Sequence, residues 1–526
     1  MPQPAGSPGE VADALAAEWG VDYPRIERLL RELAEGEWRT VAELVAATAT
    51  SRRTVTGVLR RLEPFTDQDG RRTRLRAEAA EELARRLGEP GWSPAVDRWD
   101  AAGDPLVPRM EQLQQGLPAP RRALDHVAAT AATAVKRARF LHERFRLAGH
   151  TLLCLGDRDL TALAVALVEP RARLLVVDVD EDVLAHVDRA ARELGVGVDT
   201  RFADLRLGLP ERLHRTADLV FTDPPYTPQG TRLFLARAVE ALVQEDQARV
   251  VLAYGFGERQ TGVALNVQEA MTDMRVVFEA VLPAFNRYRG AEALGSASAL
   301  YLLRPTRRTW PAAARHGAAD PRIYTHGHSA EEAAPDTLPA AALEVARGWR
   351  DGAIDVVGDG WDEPGRPVAA LWADLVAGAG RARVPDGRLV DLGPSFGPLL
   401  PRLLLADRAR RLLVAGGELP AGDPLRRLLA VAWEVERTGG LIAARRCDPP
   451  PEPAGQVLRA LLDRAAGNVL NTWREGLIAA GRAETRNEAR ALMARSGGDA
   501  LPPATLLELP LARLERLVEA VEASCA

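Results

Sequence analysis

The sequence predicts an α/β protein built around an open parallel sheet, and three strand-like segments carry this prediction. TLLCLGDRD (Thr151 to Asp159), ARLLVVDVDED (Ala172 to Asp182) and ADLVFTDPPYT (Ala217 to Thr227) each run from an apolar stretch into acidic residues. Helix-length segments separate them, as in doubly wound sheets. Ligands bind beyond the carboxyl ends of such strands. We therefore expect a sheet mouth that is lined by aspartates and attracts a cationic ligand.

The bulk composition is that of a globular protein of about two to four domains. Of the 526 residues, 47% are hydrophobic and 27% are charged, and no apolar run reaches the roughly 20 residues of a membrane span. The N-terminus lacks the basic start and apolar stretch of a signal peptide. Three scattered cysteines indicate neither a disulfide framework nor a zinc site, and a net charge of -5 disfavours polyanion binding by the whole chain. We expect a cytoplasmic protein that does not associate with membranes.

A small winged-helix-like domain is predicted at residues 9–88. Thr40 to Phe65 has the pattern of a helix-turn-helix, with Ser51 as the N-cap of its second helix. Asp69-Gly70 predicts a hairpin turn and therefore a wing. Such a module either binds DNA or, as we expect here, contacts protein and keeps its arginines in solvent. The arginines concerned are Arg52, Arg53, Arg60, Arg61, Arg71 and Arg72.

Two further regions and two linkers are predicted after this module. Residues 89–121 are rich in Pro, Trp and Gly and form a linker. Alternating strands and helices over residues 122–305 predict a Rossmann-like domain of the class I methyltransferase type, with an antiparallel hairpin at one edge. Residues 306–340 form the second linker, and 341–526 an extra α/β or mostly helical region. Within it, Arg388 to Glu418 echoes the first strand, turn, helix and strand, by either degenerate repetition or chance.

The DPPY sequence that follows the third acidic strand is a mark of enzymes that transfer a group from an S-adenosyl sulfonium to an amino nitrogen. Asp223 can accept a hydrogen bond from the attacking N–H and later its proton. Pro224 and Pro225 stiffen the turn and keep backbone carbonyls aimed at the nitrogen. Tyr226 offers an aromatic face to a base or a cation. We predict that Asp223, Pro224 and Tyr226 bind the substrate; the alternative is a structural turn that Asp223 caps.

The first acidic turn, Gly156 to Asp159, discriminates between two sulfonium donors. Methyltransferases usually place a glycine-rich loop here, beside the methionyl part of S-adenosylmethionine. A carboxylate at this place would repel the carboxylate of that cofactor by several kcal/mol and would attract the amine of decarboxylated S-adenosylmethionine. We predict that Gly156 and Asp157 bind this donor and that Asp159 holds and deprotonates the attacking amine. Asp157 could instead cap the following helix.

Two other carboxylates at strand ends are predicted to bind the nucleoside. Asp178 is placed to hold ribose hydroxyls, with Asp180 as the alternative, and Asp204 can accept a hydrogen bond from the adenine amino group. Glu258 is a candidate anchor for a distal ammonium, although a surface glutamate is the simpler interpretation. The histidines of THGHS (Thr325 to Ser329) lack further ligands at suitable spacing, so we expect no metal site.

The motifs together resemble the branched-chain polyamine synthases, which are N4-bis(aminopropyl)spermidine synthases. The resemblance covers roughly residues 10–305 and is carried by LDHVAATAATAVKRARFLHERFRLAGHTLLCLGDRDLTALAVAL, VVDVDEDVL, DLVFTDPPYTPQGTRLFLARAVEAL and FNRYRGAEALGSASALYLL. It implies aminopropyl transfer from decarboxylated S-adenosylmethionine, as co-substrate, to the secondary amine of spermidine, with release of methylthioadenosine. It also implies that Asp159 and Asp223 carry catalysis. We further expect a small-molecule polyamine as substrate and a homodimer.

Arg158 departs from this resemblance, because the family has a carboxylate at the third position of the acidic turn. An arginine there lowers the negative potential of the pocket. It could pair with Asp157 or Asp159, point outward, or favour a less cationic acceptor. Two alternative functions stay open: an S-adenosylmethionine-dependent amino methyltransferase acting on a nucleobase or another amine, and a regulator whose N-terminal module binds DNA while its sheet senses a polyamine.

Overall fold

The protein consists of two compact units that interleave along the chain. The first unit comprises Met1–Arg173 and Ala217–His316, and the second comprises Leu174–Thr216 and Gly317–Ala526. Residues 174–216, predicted to lie within the 122–305 domain, therefore group with the C-terminal region. The computed structural model describes residues 6–20, 23–88, 101–243, 247–257, 261–290, 292, 295–316, 322–325, 338–378 and 384–526.

The secondary structure is mixed throughout the described residues. The strands are β1 (Arg39–Thr40), β2 (Thr66–Asp69), β3 (Arg72–Leu75), β4 (Ala128–Ala129), β5 (Thr151–Leu155), β6 (Arg173–Asp178), β7 (Val198–Phe202), β8 (Leu219–Thr222), β9 (Arg249–Tyr254), β10 (Val277–Arg289), β11 (Ala297–Arg304), β12 (Ile354–Val357), β13 (Gly387–Asp391), β14 (Arg411–Ala415), β15 (Trp433–Thr438) and β16 (Leu441–Arg446). The α-helices are α1 (Pro8–Trp19), α2 (Tyr23–Ala34), α3 (Val41–Thr48), α4 (Arg52–Leu62), α5 (Ala77–Leu87), α6 (Val107–Gln115), α7 (Ala131–Arg144), α8 (Thr161–Val168), α9 (Glu181–Leu194), α10 (Pro228–Ala241), α11 (Thr261–Asp273), α12 (Thr309–His316), α13 (Ala340–Arg347), α14 (Val368–Ala377), α15 (Gly393–Phe396), α16 (Leu400–Ala406), α17 (Asp423–Ala430), α18 (Pro453–Asp463), α19 (Val469–Ala479), α20 (Arg486–Arg495) and α21 (Leu511–Cys525).

The N-terminal part of the first unit contains the predicted helix-turn-helix and hairpin. Thr40 caps α3 in a capping box with Glu43, and the Ser51 hydroxyl caps α4 by accepting the N–H of Thr54 at 3.3 Å. Strands β2 and β3 pair in antiparallel fashion around Gly70, whose φ of +59° suits a tight turn. Apolar side chains of α1 to α5 form the core of this part. The local predictions made for Ser51 and for the hairpin are confirmed.

The strands of the first unit form a mixed sheet in the order β4-β10-β11-β9-β8-β5. Strands β5, β8 and β9 run parallel, whereas β11 is antiparallel to both β9 and β10, which confirms the predicted hairpin. Strands β5 and β8 are buried along their whole length, as apolar strands covered on both faces are. Leu155 pairs with Thr222 at their carboxyl ends, so the turns after β5 and β8 lie side by side.

The C-terminal region is an α/β structure within the second unit. Its sheet has the order β12-β13-β14-β16-β15, with β12, β13 and β14 parallel. The segment from β13 to β14 has the strand, helix and strand that its sequence predicts. In the same unit, β6 and β7 pair in parallel, and the N–H of Phe202 donates to the Glu508 carbonyl at 2.7 Å. Arg513 donates to the carboxylate of Asp188 on α9 at 2.9 Å, so the C-terminal chain covers this strand pair and its helix.

The predicted domain boundaries stay predictions. Helices α6 and α12 lie inside the predicted linkers 89–121 and 306–340, so these segments are structured in part. Among the residues that the structure describes, no helix is both long enough and apolar enough to cross a membrane.

Candidate active site

The turn after β5 brings Gly156 and Asp157 to the start of helix α8. Gly156 has a φ of +69°, which a glycine adopts without strain. The two carboxylate oxygens of Asp157 accept the N–H groups of Thr161 and Ala162, both at 2.8 Å. Burial raises the pKa of Asp157 to about 7, against the opposing effect of these two donors. Asp157 therefore caps the helix, and its predicted contact with the donor stays a prediction.

Asp159 and Asp223 lie on either side of one buried arginine. Arg137, on helix α7, donates through Nη1 to Asp159 Oδ2 and through Nη2 to Asp223 Oδ2, each at 2.8 Å. Its side chain is 1% exposed, whereas those of Asp159 and Asp223 are 9% and 16% exposed. The other oxygen of Asp159 accepts the N–H of Ala129 at 2.8 Å. We call Asp159 and Asp223 the carboxylate pair.

The Nε donor and one face of the Arg137 guanidinium are also occupied. Its Nε donates to Asn286 Oδ1 at 2.8 Å, and Asn286 in turn donates to Ser298 Oγ at 2.9 Å. The guanidinium lies 4.9 Å from the ring centroid of Phe221, which precedes the DPPY turn on β8. Roles for Arg137, Asn286 and Tyr288 are not predicted from the sequence. Together these contacts fix the guanidinium in one orientation, because a planar fork with several partners cannot rotate.

Two tyrosine hydroxyl groups also donate to Asp223. Tyr288 donates to Asp223 Oδ2 at 2.6 Å, and its oxygen lies 2.8 Å from Ser298 Oγ. Tyr226 donates to Asp223 Oδ1 at 3.2 Å. Burial raises the pKa of Asp223 and the charge of Asp159 adds to this effect, while Arg137 and Tyr288 oppose it. Asp223 thus holds a proton more readily than an ordinary aspartate does.

The charge of this cluster is less negative than the sequence predicted. Burial lowers the pKa of Arg137, but the surrounding acidic groups, Asp159 and Asp223 among them, raise it well above its ordinary value, so the guanidinium stays charged. Two carboxylates and one guanidinium leave one net negative charge. Arg158, the departure within the acidic turn, donates to the carbonyl of Pro118 at 2.7 Å.

Aromatic side chains line the chain around the DPPY turn. The ring of Tyr226 packs edge-on against Tyr254, with centroids 5.2 Å apart, and Tyr254 lies 6.4 Å from the partly exposed Phe256. Pro224, in the same turn, is buried. Such faces can attract an ammonium group. The candidate Glu258 follows Phe256 closely in sequence but falls outside the described residues.

The other two predicted nucleoside ligands lie in the second unit. Asp178 Oδ1 accepts the N–H of Asp180 at 2.9 Å, and Asp180 caps helix α9. Asp204 is bound by both Nε and Nη2 of Arg206, at 2.9 and 2.6 Å. The guanidinium of Arg206 stacks on Phe396 at 4.4 Å from its centroid. The carboxylate of Asp204 is therefore neutralised by its own arginine, which the sequence analysis did not predict.

The metal prediction concerned the two histidines of THGHS, His326 and His328, which fall outside the described residues. Within the described ranges, no three His, Cys, Asp or Glu side chains form a group that could hold a metal ion.

Comparison with known proteins finds a family whose model matches the part of the chain that contains this site. Residues 106–329 match the family model of the branched-chain polyamine synthase A C-terminal domain. This match contains Arg137, the carboxylate pair, the DPPY turn and the β10–β11 hairpin. This part of the chain is therefore similar to the branched-chain polyamine synthase family. The family match begins near helix α6 and therefore leaves most of the N-terminal part and the C-terminal region outside it.

Individual relatives share the same part of the chain. An uncharacterized protein of Methanocaldococcus jannaschii is 36% identical over 173 residues, which are 33% of this chain and 43% of the relative. The N(4)-bis(aminopropyl)spermidine synthase of the same organism is 28% identical over 187 residues, 35% of this chain and 53% of the relative. The chain thus spans about half the length of the curated relatives it matches.

Among solved structures, the branched-chain polyamine synthase of Thermus thermophilus is similar to this chain. That enzyme was solved in complex with N4-aminopropylspermidine and 5′-methylthioadenosine. The similarity has a TM-score of 0.42 at 21% identity and covers 63% of this chain and 98% of the other.

Proposed function

We propose that the protein transfers an aminopropyl group from decarboxylated S-adenosylmethionine to an amine nitrogen of a spermidine-like polyamine. The observation that carries this proposal is the carboxylate pair held by Arg137 at the carboxyl ends of two neighbouring strands, within the segment that matches the family. A polyamine is a chain of ammonium groups, and a buried site with a net negative charge and aromatic faces suits it. Relatives named N(4)-bis(aminopropyl)spermidine synthase support the same substrate class.

The reaction is a nucleophilic displacement at the carbon next to the sulfonium. The amine nitrogen forms a C–N bond, the C–S bond breaks with its electron pair going to sulfur, and methylthioadenosine leaves as a neutral thioether. The donor is already activated, so the protein has to position the two reactants and supply a neutral amine. An amine of pKa about 10 is protonated at neutral pH and must lose its proton before it attacks.

The two carboxylates suit different parts of this step. Asp159 is fixed by Arg137 and by the N–H of Ala129, so its charge is held in place to orient the ammonium form of the acceptor. Asp223 is more exposed, and its pKa is raised. We therefore assign the proton to Asp223, whereas the sequence alone favoured Asp159. Tyr226 and the Pro224 carbonyl would orient the same nitrogen.

The choice of donor follows from the charge of the cluster. S-adenosylmethionine carries a carboxylate that would approach the carboxylate pair, whereas the decarboxylated form carries only an amine there. Because Arg137 cancels one of the two negative charges, we expect the discrimination to be weaker than two free carboxylates would give. Even so, one like-charge contact in a partly buried site costs several kcal/mol.

Three finer features belong to the same proposal. The order of helix-turn-helix and hairpin supports a winged-helix-like N-terminal domain. The free cysteines Cys154, Cys447 and Cys525 support a reducing compartment such as the cytoplasm. Self-association into a homodimer is proposed on the sequence analysis alone and is open to measurement by light scattering.

Product analysis tests the function directly. The purified protein is incubated with spermidine and related polyamines, with either sulfonium donor, and products are identified by mass spectrometry. We expect aminopropylated polyamine and methylthioadenosine from the decarboxylated donor, and no methylated product from S-adenosylmethionine. Incubations without acceptor control for spontaneous donor breakdown. A methylated amine or nucleobase from S-adenosylmethionine would instead establish the methyltransferase alternative.

A further inference from the structure

The turn between helices α3 and α4 is buried although it lies at the end of a small surface module. Thr50 and Ser51 are 0% and 6% exposed. The preceding residue, Ala49, has a left-handed backbone with a φ of +53°. In proteins that read DNA with a helix-turn-helix, the start of the second helix enters the major groove and must be accessible. Here the turn before that helix is covered by another part of the same unit, while Arg52 and Arg53 at the helix start are exposed.

Glu292 and Gly295, which lie between β10 and β11 in the chain, contact this turn and the start of α4. A methyl group placed on Gly295 would lie 2.6 Å from the carbonyl oxygen of Ala49. The two backbones therefore approach each other so closely that only a glycine fits at position 295. Beside this contact, Arg52 at the start of α4 forms an ion pair with Glu292. The N-terminal module is therefore joined to this hairpin by one close backbone contact and one charge pair.

The same hairpin carries the hydroxyl groups that hold Asp223. Tyr288 precedes Glu292 by four residues, and Ser298 follows Gly295 by three. The Tyr288 N–H donates to the Ser296 carbonyl at 2.9 Å, which closes the hairpin next to the contact with Ala49. A shift of this connection would move Tyr288 and Ser298, whose hydroxyl oxygens lie 2.8 Å apart beside the carboxylate pair.

We propose that the N-terminal module is an internal brace that positions the β10–β11 hairpin for catalysis, and that this contact takes the place of DNA binding. The module would act through Gly295 and the Arg52–Glu292 pair as positioning residues. The inference rests on the proposed function, because it takes Tyr288 and Ser298 to serve the transfer through Asp223. It assigns a role to a domain that lies outside the family match.

Replacing Gly295 by alanine tests the close contact. Gly295→Ala adds a methyl against the Ala49 carbonyl and should lower kcat at least about tenfold, with the KM for the sulfonium donor changed less than twofold. Gly149→Ala is the matched control, since Gly149 has a φ of +77°, close to the +74° of Gly295, with no described atom within 4 Å of the added methyl. It should leave kcat within twofold. Equal kcat values for the two variants would overturn the proposal.

A charge exchange tests the ion pair in variants that keep the fold. Arg52 and Glu292 are partly exposed, so reversing either charge should lower kcat only about twofold to fivefold. The double exchange Arg52→Glu with Glu292→Arg should restore it. Loss of activity in the double variant equal to the product of the single losses would contradict a contact between them.

Two measurements separate this inference from the proposed function. Hydrogen exchange of the Tyr288 amide should be faster in Gly295→Ala than in Gly149→Ala, whether or not the protein releases methylthioadenosine. An unchanged exchange rate would overturn the brace. The wild-type protein should bind no duplex DNA in a gel-shift titration at about 0.1 M salt. Binding that Arg53→Ala and Arg60→Ala weaken would show that α4 is free to enter a groove and would overturn the second half of the proposal.

Discussion

The two units treat the carboxylates at their strand ends differently. In the first unit, Asp159 and Asp223 share Arg137 and keep one net negative charge. In the second, Asp204 forms a two-point ion pair with Arg206, so its charge is cancelled. The acidic strand ends look alike in sequence, yet Asp204 pairs with one arginine, whereas Asp159 and Asp223 share one. A carboxylate after a strand thus indicates a ligand-binding edge without showing which carboxylate is available.

The largest effect should follow from removing one member of the carboxylate pair. Asp159→Asn keeps the size of the side chain but loses the charge that Arg137 and the acceptor share, so turnover should fall about 10²- to 10⁴-fold. Asp218→Asn is the matched control. Asp218 also accepts a backbone N–H, that of Thr151 at 2.7 Å, but makes no contact with the pair. Release of methylthioadenosine near the wild-type rate by Asp159→Asn would refute its catalytic assignment.

Removing the shared cation should affect both stability and activity. Arg137→Met leaves two buried carboxylates without a counter-charge, so the free energy of unfolding should fall by about 3–5 kcal/mol. The pKa of Asp223 should rise further, because the guanidinium that lowers it is gone. The acidic limb of the pH–rate profile should therefore move to higher pH. Arg139→Met, on the same helix but in a partly exposed pair with Asp104, is the control and should cost at most about 1 kcal/mol. An unshifted limb would remove Arg137 from the electrostatics of the site.

Removing the charge of Asp204 should lower the stability of the protein far more than its turnover. Asp204→Asn leaves Arg206 buried without its partner, and the free energy of unfolding should fall by about 3–5 kcal/mol. Turnover of the folded fraction should fall less than tenfold, and any loss should appear in the KM for the donor. Denaturant titrations together with initial rates check both. A loss of turnover as large as that of Asp159→Asn would abolish the distinction between the two units.

The pH dependence of the unfolding free energy tests the protonation of Asp157. Its pKa is about 7 in the folded protein and about 4 in the unfolded chain, so the folded form retains a proton that the unfolded form releases. Its contribution to stability is complete below pH 4 and is lost as the pH rises through 7, by at most about 4 kcal/mol. The unfolding free energy of the wild type relative to Asp157→Asn should therefore fall between pH 4 and pH 7. A constant difference would show that Asp157 is ionised throughout.

The smallest effect should come from the hydroxyl that holds Asp223. Tyr288→Phe removes a donor at 2.6 Å but leaves Arg137 in place, so turnover should fall about tenfold. The control is Tyr301→Phe. Tyr301 is a buried tyrosine on β11 whose hydroxyl accepts a long hydrogen bond from Gln268 at 3.4 Å, and its loss should leave turnover within twofold. Equal rates for the two variants would show that Tyr288 only packs.

The local features of the fold could be predicted from sequence because local rules decide them. The N-cap at Ser51, the turn at Asp69-Gly70 and the β10–β11 hairpin each depend on residues close together in the chain. The grouping of residues 174–216 with the C-terminal region could not be predicted in this way. It depends on long-range contacts such as that between Arg513 and Asp188, for which the sequence of either partner gives no signal.

The sequence predicts the two acidic residues of the site but does not predict the arginine that binds them. Asp159 and Asp223 stand out because each follows an apolar strand, whereas Arg137 sits within a helix where an arginine usually reaches solvent. The sequence does contain a signal for Arg137. This residue shares one buried face of α7 with Ala134, Ala138 and Leu141, and a charge on such a face needs a buried partner. The position of Arg137 on this face is the sequence signal that links the helix to the acidic turns.

A double-mutant cycle on the carboxylate pair tests the central claim, which is that Asp159 and Asp223 act as one site through Arg137. The rate of methylthioadenosine release is measured for the wild type, Asp159→Asn, Asp223→Asn and the double variant, with decarboxylated S-adenosylmethionine and spermidine. Residues that act as a unit are strongly non-additive, so we expect the double variant to be no slower than the slower single variant. A rate reduced by the product of the two single losses would mean that the carboxylates work independently, and would contradict the account.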